Sequence, residues 1–342
     1  MIVDAVVAND EIDLAKFRIS YLSTSVSKFY IGESEQTFQG RAKPLNFGSR
    51  VTELRALGAD VEVIEIPVSP DDSLFADAWE RGRYQRYWFL QLVASRHPDA
   101  TIIFSDIDEV PSHQQVTWAS ENLGPDGIAS LPMVFVFRYL NWLLEPHTQD
   151  YRPAVILKGT AFRPNIRDGG FPATPGEKGA HLSYVGFGAE QVREKFSSFE
   201  HTELDLEHLY RDGVLEFADE WGIDHIGRPG QPGFGLLRGA LPQQMKSVLL
   251  AAWEMFPSWH RDFPRKPLIR RIVASSSLSS YRSSGDAKYL DDPSLSSFSV
   301  RFLRHLVNVV THTIIRLTRT GQLVKRLQRL FQKMADLRLR TH

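Results

Sequence analysis

The stretch TIIFSDIDEVP, Thr101 to Pro111, decides how the chain is read. Thr101 to Phe104 are all β-branched or aromatic, and three of the four are apolar. That composition predicts a buried strand of a mostly parallel sheet. Asp106, Asp108 and Glu109 then place three carboxylates in four positions. Crowded at the end of a buried strand they repel one another, and a divalent metal is the usual cation that offsets such a cluster. Asp106 and Asp108 are two apart, so an extended stretch points them the same way and turns Ile107 into the core. Open α/β sheets bind ligands beyond the carboxyl ends of their strands, which is where this triplet falls. Pro111 and Ser112 are expected to open the next helix. The plainer alternative is a solvated loop capping that helix, but a cap needs one acid and not three.

Upstream, the apolar runs Ile2 to Val7, Lys28 to Gly32 and Val61 to Ile66 read as strands. Helices are expected from about Ile12 to Leu22, with Asn9 or Asp10 as cap, from Val51 to Leu57, and from Ala76 to Ala94. The order β-α-β-α-β-α-β predicts an α/β fold with a parallel, doubly wound sheet. No GxGxxG follows the first strand, so a dinucleotide fingerprint is absent. Downstream the strands are shorter and expected to be mixed in direction: Gly127 to Leu131, Met133 to Phe137, Ala154 to Leu157 and His181 to Val185. RYLNW, Arg138 to Trp142, offers flat rings that could stack on a sugar or base, or fill a core strand. Arg163 to Gly179 is rich in Gly and Pro and reads as a long functional or mobile loop. Helices are expected over Ala189 to Phe199 and over Leu241 to Trp259.

The 342 residues are 42% hydrophobic and 24% charged, as in ordinary globular proteins. There is no cysteine, hence no disulfide framework and no thiolate chemistry. No basic and apolar leader precedes the first strand, and no stretch reaches the roughly 18 apolar residues of a membrane span. The expected location is cytoplasmic, with a peripheral position at the inner face of the membrane open to the tail. The net charge of −1 conceals an asymmetry: residues 298–342 hold ten Lys or Arg and one acid, Asp336. Residues 1–262 are read as one domain, 263–297 as a Ser-rich linker and 298–342 as a basic amphipathic helical tail. Such a tail suits an anionic membrane surface, or packs on the body or on a second copy. The acidic body argues against nucleic acid.

Several blocks together resemble glycosyltransferase family 17, which includes the enzyme that adds the bisecting N-acetylglucosamine to N-glycans. They are NDEIDL (Asn9 to Leu14) with Arg18, Glu33 with TFQGRAKPL (Thr37 to Leu45), and Gln85 with Arg86. SDIDEVPS (Ser105 to Ser112), the Asn141–Trp142 pair and GAHLSYVGFGAEQVREKFSSFEH (Gly179 to His201) complete the set. The blocks span about the first 205 residues, and the Ser-rich linker and basic tail match nothing in the family. The resemblance implies a GT-A-type fold, a nucleotide-sugar donor such as UDP-GlcNAc, Mn2+ or Mg2+, and inversion at the anomeric carbon. The animal enzymes are membrane-anchored and this chain shows no anchor, so a lipid-linked or surface saccharide suits it better as acceptor than an N-glycan.

Glycosyl transfer must neutralise the departing diphosphate and deprotonate the attacking hydroxyl. Asp106 and Asp108 are the natural metal ligands, with Asp108 preferred for direct coordination and Asp106 free to meet the ribose or a metal-bound water. Glu109 could support the ligands or stabilise the following helix. His201 is a candidate third ligand and His181 its rival. Glu190, after a Gly-flanked turn in a first helical turn, is the candidate base, or else simply a helix-stabilising acid. Glu33 and Lys43 flank a loop that can reach a nucleotide, and Arg86 can meet a phosphate or pair with Glu80. Two other readings compete. IIFSDIDEV resembles the first motif of haloacid-dehalogenase-type phosphatases, with Asp106 as nucleophile and Asp108 as acid, but Asp291 and Asp292 follow no apolar strand. A non-catalytic saccharide- or membrane-binding module is the third reading, and the intact triplet argues against it.

Overall fold

The computed structural model describes residues 1–69, 75–124, 127–144, 151–200, 202, 215, 219, 237–239 and 246–262. His201, the 263–297 linker, Asp291, Asp292, the 298–342 tail and the start of the expected Leu241–Trp259 helix lie outside them. The chain divides into two compact units. The first comprises Met1–Thr202 and Ala240–Arg261. In the second, the described residues are Leu215, Asp219, the short strand Leu237–Gly239 and Asp262.

Four parallel strands form one side of the first unit's sheet. β1 (Ile2–Val7) lies between β2 (Lys28–Glu33) and β4 (Thr101–Asp106), and β3 (Val61–Glu65) pairs with β2. Alternate residues of each strand enter two separate cores, as the period of two demands. Val6, Phe29, Ile31 and Ile103 face α1 (Ile12–Leu22), while Val3, Ala5, Tyr30, Ile102 and Phe104 face α3 (Ala78–Arg96). Both faces are therefore covered, which is why the strands are almost continuously apolar.

Beyond β4 the sheet becomes mixed. β8 (Tyr151–Lys158) runs antiparallel to β4 and to β6 (Ile128–Phe137), giving the order β7-β6-β8-β4-β1-β2-β3. β7 is Trp142–Leu144. β9 (Gly179–Ser183) pairs parallel with the end of β6 and antiparallel with the two-residue β5 (Glu109–Val110). The two strands expected over Gly127–Phe137 are one strand with a register shift between Leu131 and Met133. Pro132 lies at that shift, because a proline has no N–H to give the ladder.

Other boundaries also moved. Glu11, and not Asn9 or Asp10, is the N-cap residue of α1. The Glu11 carboxylate instead accepts from the Asn9 and Asp10 N–H groups. α2 is Val51–Arg55, and α3 starts after Asp77, whose side chain accepts from the Glu80 N–H. Ser112 caps α4 (His113–Asn122) through a capping box with Gln115. α5 is Ala189–Ser198 and α6 is Ser247–Met255. The RYLNW segment is a buried corner: Trp142 and Leu140 are fully buried and Trp142 Nε1 donates to the Arg261 carbonyl. Trp142 therefore offers no ring face to a ligand. Among the described residues no helix is long and apolar enough to cross a membrane.

Candidate active site

The acidic triplet lies where parallel β4 ends. The chain turns at Ile107–Asp108 before β5, so the stretch is not extended and the carboxylates part company. Asp106 continues the alternation that sends Ile102 and Phe104 toward α3. Arg86 of α3 meets it with two parallel bonds, Nε to Oδ1 and Nη2 to Oδ2, each 2.9 Å. Arg167 Nη1 adds a third at 2.7 Å, and Arg167 Nη2 donates to both oxygens of Glu109. Burial would raise the Asp106 carboxyl, but Arg167 and Arg86 outweigh it and hold it well below the usual range. Glu109, in the same network, is pushed up by burial against Arg167.

Asp108 has another set of partners. Its Oδ2 accepts from Lys195 Nζ at 2.9 Å and lies 3.4 Å from His181 Nε2. Among the described residues its Oδ1 has no hydrogen-bond partner. Burial opposes its charge, yet Lys195 and His181 together hold it far below the usual range. Lys195 also reaches Glu11 Oε1 at 3.4 Å, so the loop after β1, the turn after β4 and α5 meet at one ammonium. His181 is steadied on its other side by Tyr151, whose hydroxyl is 3.0 Å from Nδ1.

The loop after β2 closes this region from one side. Glu33 is buried, and its carboxylate accepts three backbone N–H bonds from Asn46, Phe47 and Gly48. It shapes the loop and has little left to offer a ligand. Gln85 and Arg81 of α3 hold the carbonyls of Gln36 and Phe38, and Gln39 ties the loop to the end of α5. Phe38 lies under the Arg86 guanidinium at 4.7 Å. Lys43 Nζ is buried with no hydrogen-bond partner among the described residues. Burial lowers its pKa, against the pull of Glu33, Glu11 and Asp10. Asp10 is pushed up to about 6, by burial first and then by Glu11 and Glu194.

Arg86 pairs with Asp106 and Glu200 and not with Glu80, whose carboxylate accepts from the Ala76 N–H. Glu190 is exposed on the first turn of α5. Five residues from Lys195, it lies about 140° around the helix from the face that meets Asp108. Arg167 and Lys195 were missed by sequence reasoning. Arg167 sits in the Gly/Pro-rich loop, which is held in place here: Asn165 takes a left-handed conformation (φ 52°) and Arg167 Nε bonds the Pro153 carbonyl. The only signal was the need of three acids for cations. For Lys195 it was a position beside Phe196 on the inward stripe of α5.

A doubly covered sheet with four parallel strands, a mixed extension and an acidic turn at the end of β4 defines the class: an α/β fold with its acidic cluster at the carboxyl end of a parallel strand. Residues 1–126 match the family model described as Glycosyltransferase family 17. The resemblance read from the motifs is therefore matched by that family's model over those residues, about the first third of the chain. No curated protein matches the chain in sequence. Among solved structures, the galactosyltransferase LgtC in complex with donor and acceptor sugar analogs is 14% identical over 58% of this chain and 66% of its own, just under two thirds. Its TM-score is 0.28, an overlap that adds nothing to the assignment.

Proposed function

We propose that this protein is a glycosyltransferase that moves a sugar, N-acetylglucosamine from UDP-GlcNAc, onto a saccharide or glycolipid acceptor, with inversion and with a divalent cation. The observation that carries the reading is the charge balance beyond β4. Among the described residues the five carboxylates of Asp106, Asp108, Glu109, Glu11 and Glu200 meet three Arg or Lys side chains, Arg86, Arg167 and Lys195, with His181 beside Asp108. A bound nucleoside diphosphate would add more negative charge, so the residues fit an added cation. Among the described residues no three His, Asp or Glu form a complete cage. Mg2+-type cations accept that arrangement, because one or two carboxylates suffice when phosphates and water fill the remaining positions.

Asp108, with one oxygen open, is the residue we assign to hold the cation. Asp106 can join only by releasing a guanidinium. When bound, the cation supplies Lewis-acid stabilisation to the departing diphosphate. Lys43, whose Nζ is buried without a hydrogen-bond partner among the described residues, is suited to a phosphate or to the nucleotide. Arg86 and Arg167 keep Asp106 ionised and Lys195 keeps Asp108 ionised. Glu33 acts by holding the loop that carries Lys43. Glu190 is the proposed base: an exposed carboxylate on the first turn of α5, on a different face of that helix from the Lys195 that meets Asp108. His201 stays a candidate ligand on sequence grounds. The phosphatase alternative needs a free Asp106 nucleophile, whereas both its oxygens are engaged. An anionic membrane surface as a further partner rests only on the ten basic residues of 298–342.

The test is hydrolysis of a panel of nucleotide sugars with manganese and with chelator, beside Asp108→Asn. The expected result is UDP release from one sugar, dependent on metal, falling about 100-fold or more in the variant. Cleavage of a generic phosphate ester with no nucleotide sugar turned over would overturn the reading.

A further inference from the structure

We infer that Arg18, held by Asp4 and Ser105, is a positioning residue that clamps the backbone of the acidic loop and so aims the carboxylates of Asp106 and Asp108. The role in turnover rests on the transferase reading above. Asp4 and Arg18 are each 1% exposed and Ser105 is fully buried. Arg18 Nε and Nη2 donate to the two oxygens of Asp4 at 2.7 Å each. Nη2 also donates to Ser105 Oγ at 2.8 Å. Nη1 then points at the loop: it donates to the Glu109 carbonyl at 2.7 Å and lies 3.3 Å from that of Asp106 and 3.5 Å from that of Ile107. Ser105 Oγ donates to the Glu109 carbonyl as well, at 3.2 Å.

The strand period makes this possible. Asp4 of β1 and Ser105 of β4 lie on the α1 side of the sheet, one residue out of phase with Asp106. One planar guanidinium therefore bridges two strands and a helix beneath the turn. The turn's carbonyls have left the β4 ladder and need donors, because buried carbonyls without partners are costly. Stability alone is a weak reason for such a pair, since apolar residues of like volume often replace a buried ion pair without loss. Directional bonds to successive carbonyls are what apolar residues cannot give. Lysine cannot give them either, because a point charge lacks the guanidinium fork. Arg18 touches none of the triplet's carboxylates, so its effect on them passes through the backbone.

The test uses Arg18→Lys and the milder Ser105→Ala in the full chain, with three readouts: thermal unfolding, amide hydrogen exchange across 106–110, and steady-state hydrolysis of UDP-GlcNAc with manganese. In folded Arg18→Lys we expect exchange at 106–110 to quicken on the order of tenfold, beyond any change in β1 to β3. We expect kcat to fall about 100-fold with KM changed far less, as for a misplaced but present site. Ser105→Ala should shift both in the same direction by less, and it carries the test if Arg18→Lys does not fold. A folded variant with wild-type exchange in the loop overturns the clamp. So does one with faster exchange and unchanged kcat. Absence of turnover in the wild-type protein would instead sink the transferase reading, and the exchange readout would still decide the clamp.

Discussion

Lys195 and Asp108 carry opposite charges that neither could hold alone at their depth. Burial lowers the Lys195 pKa, but Asp108 and Glu11 more than reverse that and carry it well above the ordinary lysine value. Removing one member of a buried pair strands the other charge, which typically costs about 3 kcal/mol or more. Lys195→Met should lose about that much in urea unfolding at pH 7, and a loss below about 1 kcal/mol would show that water already screens the pair. Glu190 is the contrasting case. Glu190→Gln should leave stability unchanged and cut sugar transfer by about 100-fold or more, with donor binding intact. Unchanged transfer would remove it from the base position.

At the scale of elements, β5 and β9 decide whether His181 meets Asp108. Glu109 is registered against His181 and Val110 against Ala180. Gly179 opens β9 so close to β5 that a Cβ there would meet the Val110 carbonyl oxygen at 2.4 Å and Pro111 Cα at 2.9 Å. Both obstacles are backbone, so β9 itself has to move. Gly179→Ala should cost about 1–3 kcal/mol in thermal or chemical unfolding and lower donor turnover with it. Wild-type values in both would mean that β9 has room the spacing denies.

For the whole molecule, two sets of carboxyls pull stability in opposite directions as pH changes. Asp106 and Asp108 are held below 3.8 in the fold, so they stabilise it above that pH, and the stabilisation is lost as pH falls below 3.8. Asp10 is raised from 3.8 to about 6. Between these values the folded chain keeps a proton that the unfolded chain has released. Stability therefore drops as pH rises from 3.8 through 6 and stays lower above it. Asp10→Asn should raise stability at pH 8 by about 1–2 kcal/mol, allowing for solvent screening, and change it little at pH 4. Unfolding curves at the two pH values check this, and an equal shift at both would contradict the elevated Asp10.

The order of strands and helices to Ser112 was legible because apolar runs with period two or near 3.6 report burial without any long-range information. So was the acidic cluster, though not its turn, since three crowded carboxylates at a strand end announce a need for cations. Which cations answer that need was not legible. Arg167 lies 61 positions from Asp106, and Lys195 lies 87 from Asp108, and no local pattern joins them. The same holds for Glu33, a nucleotide-binding candidate by position that the fold uses to hold three backbone N–H groups, and for Trp142, a candidate platform that the fold buries. Local pattern sets which residues enter the core and where the chain turns. Pairing between charges distant in sequence depends on how the sheet and its helices bring them together, and only the tertiary arrangement carries that information.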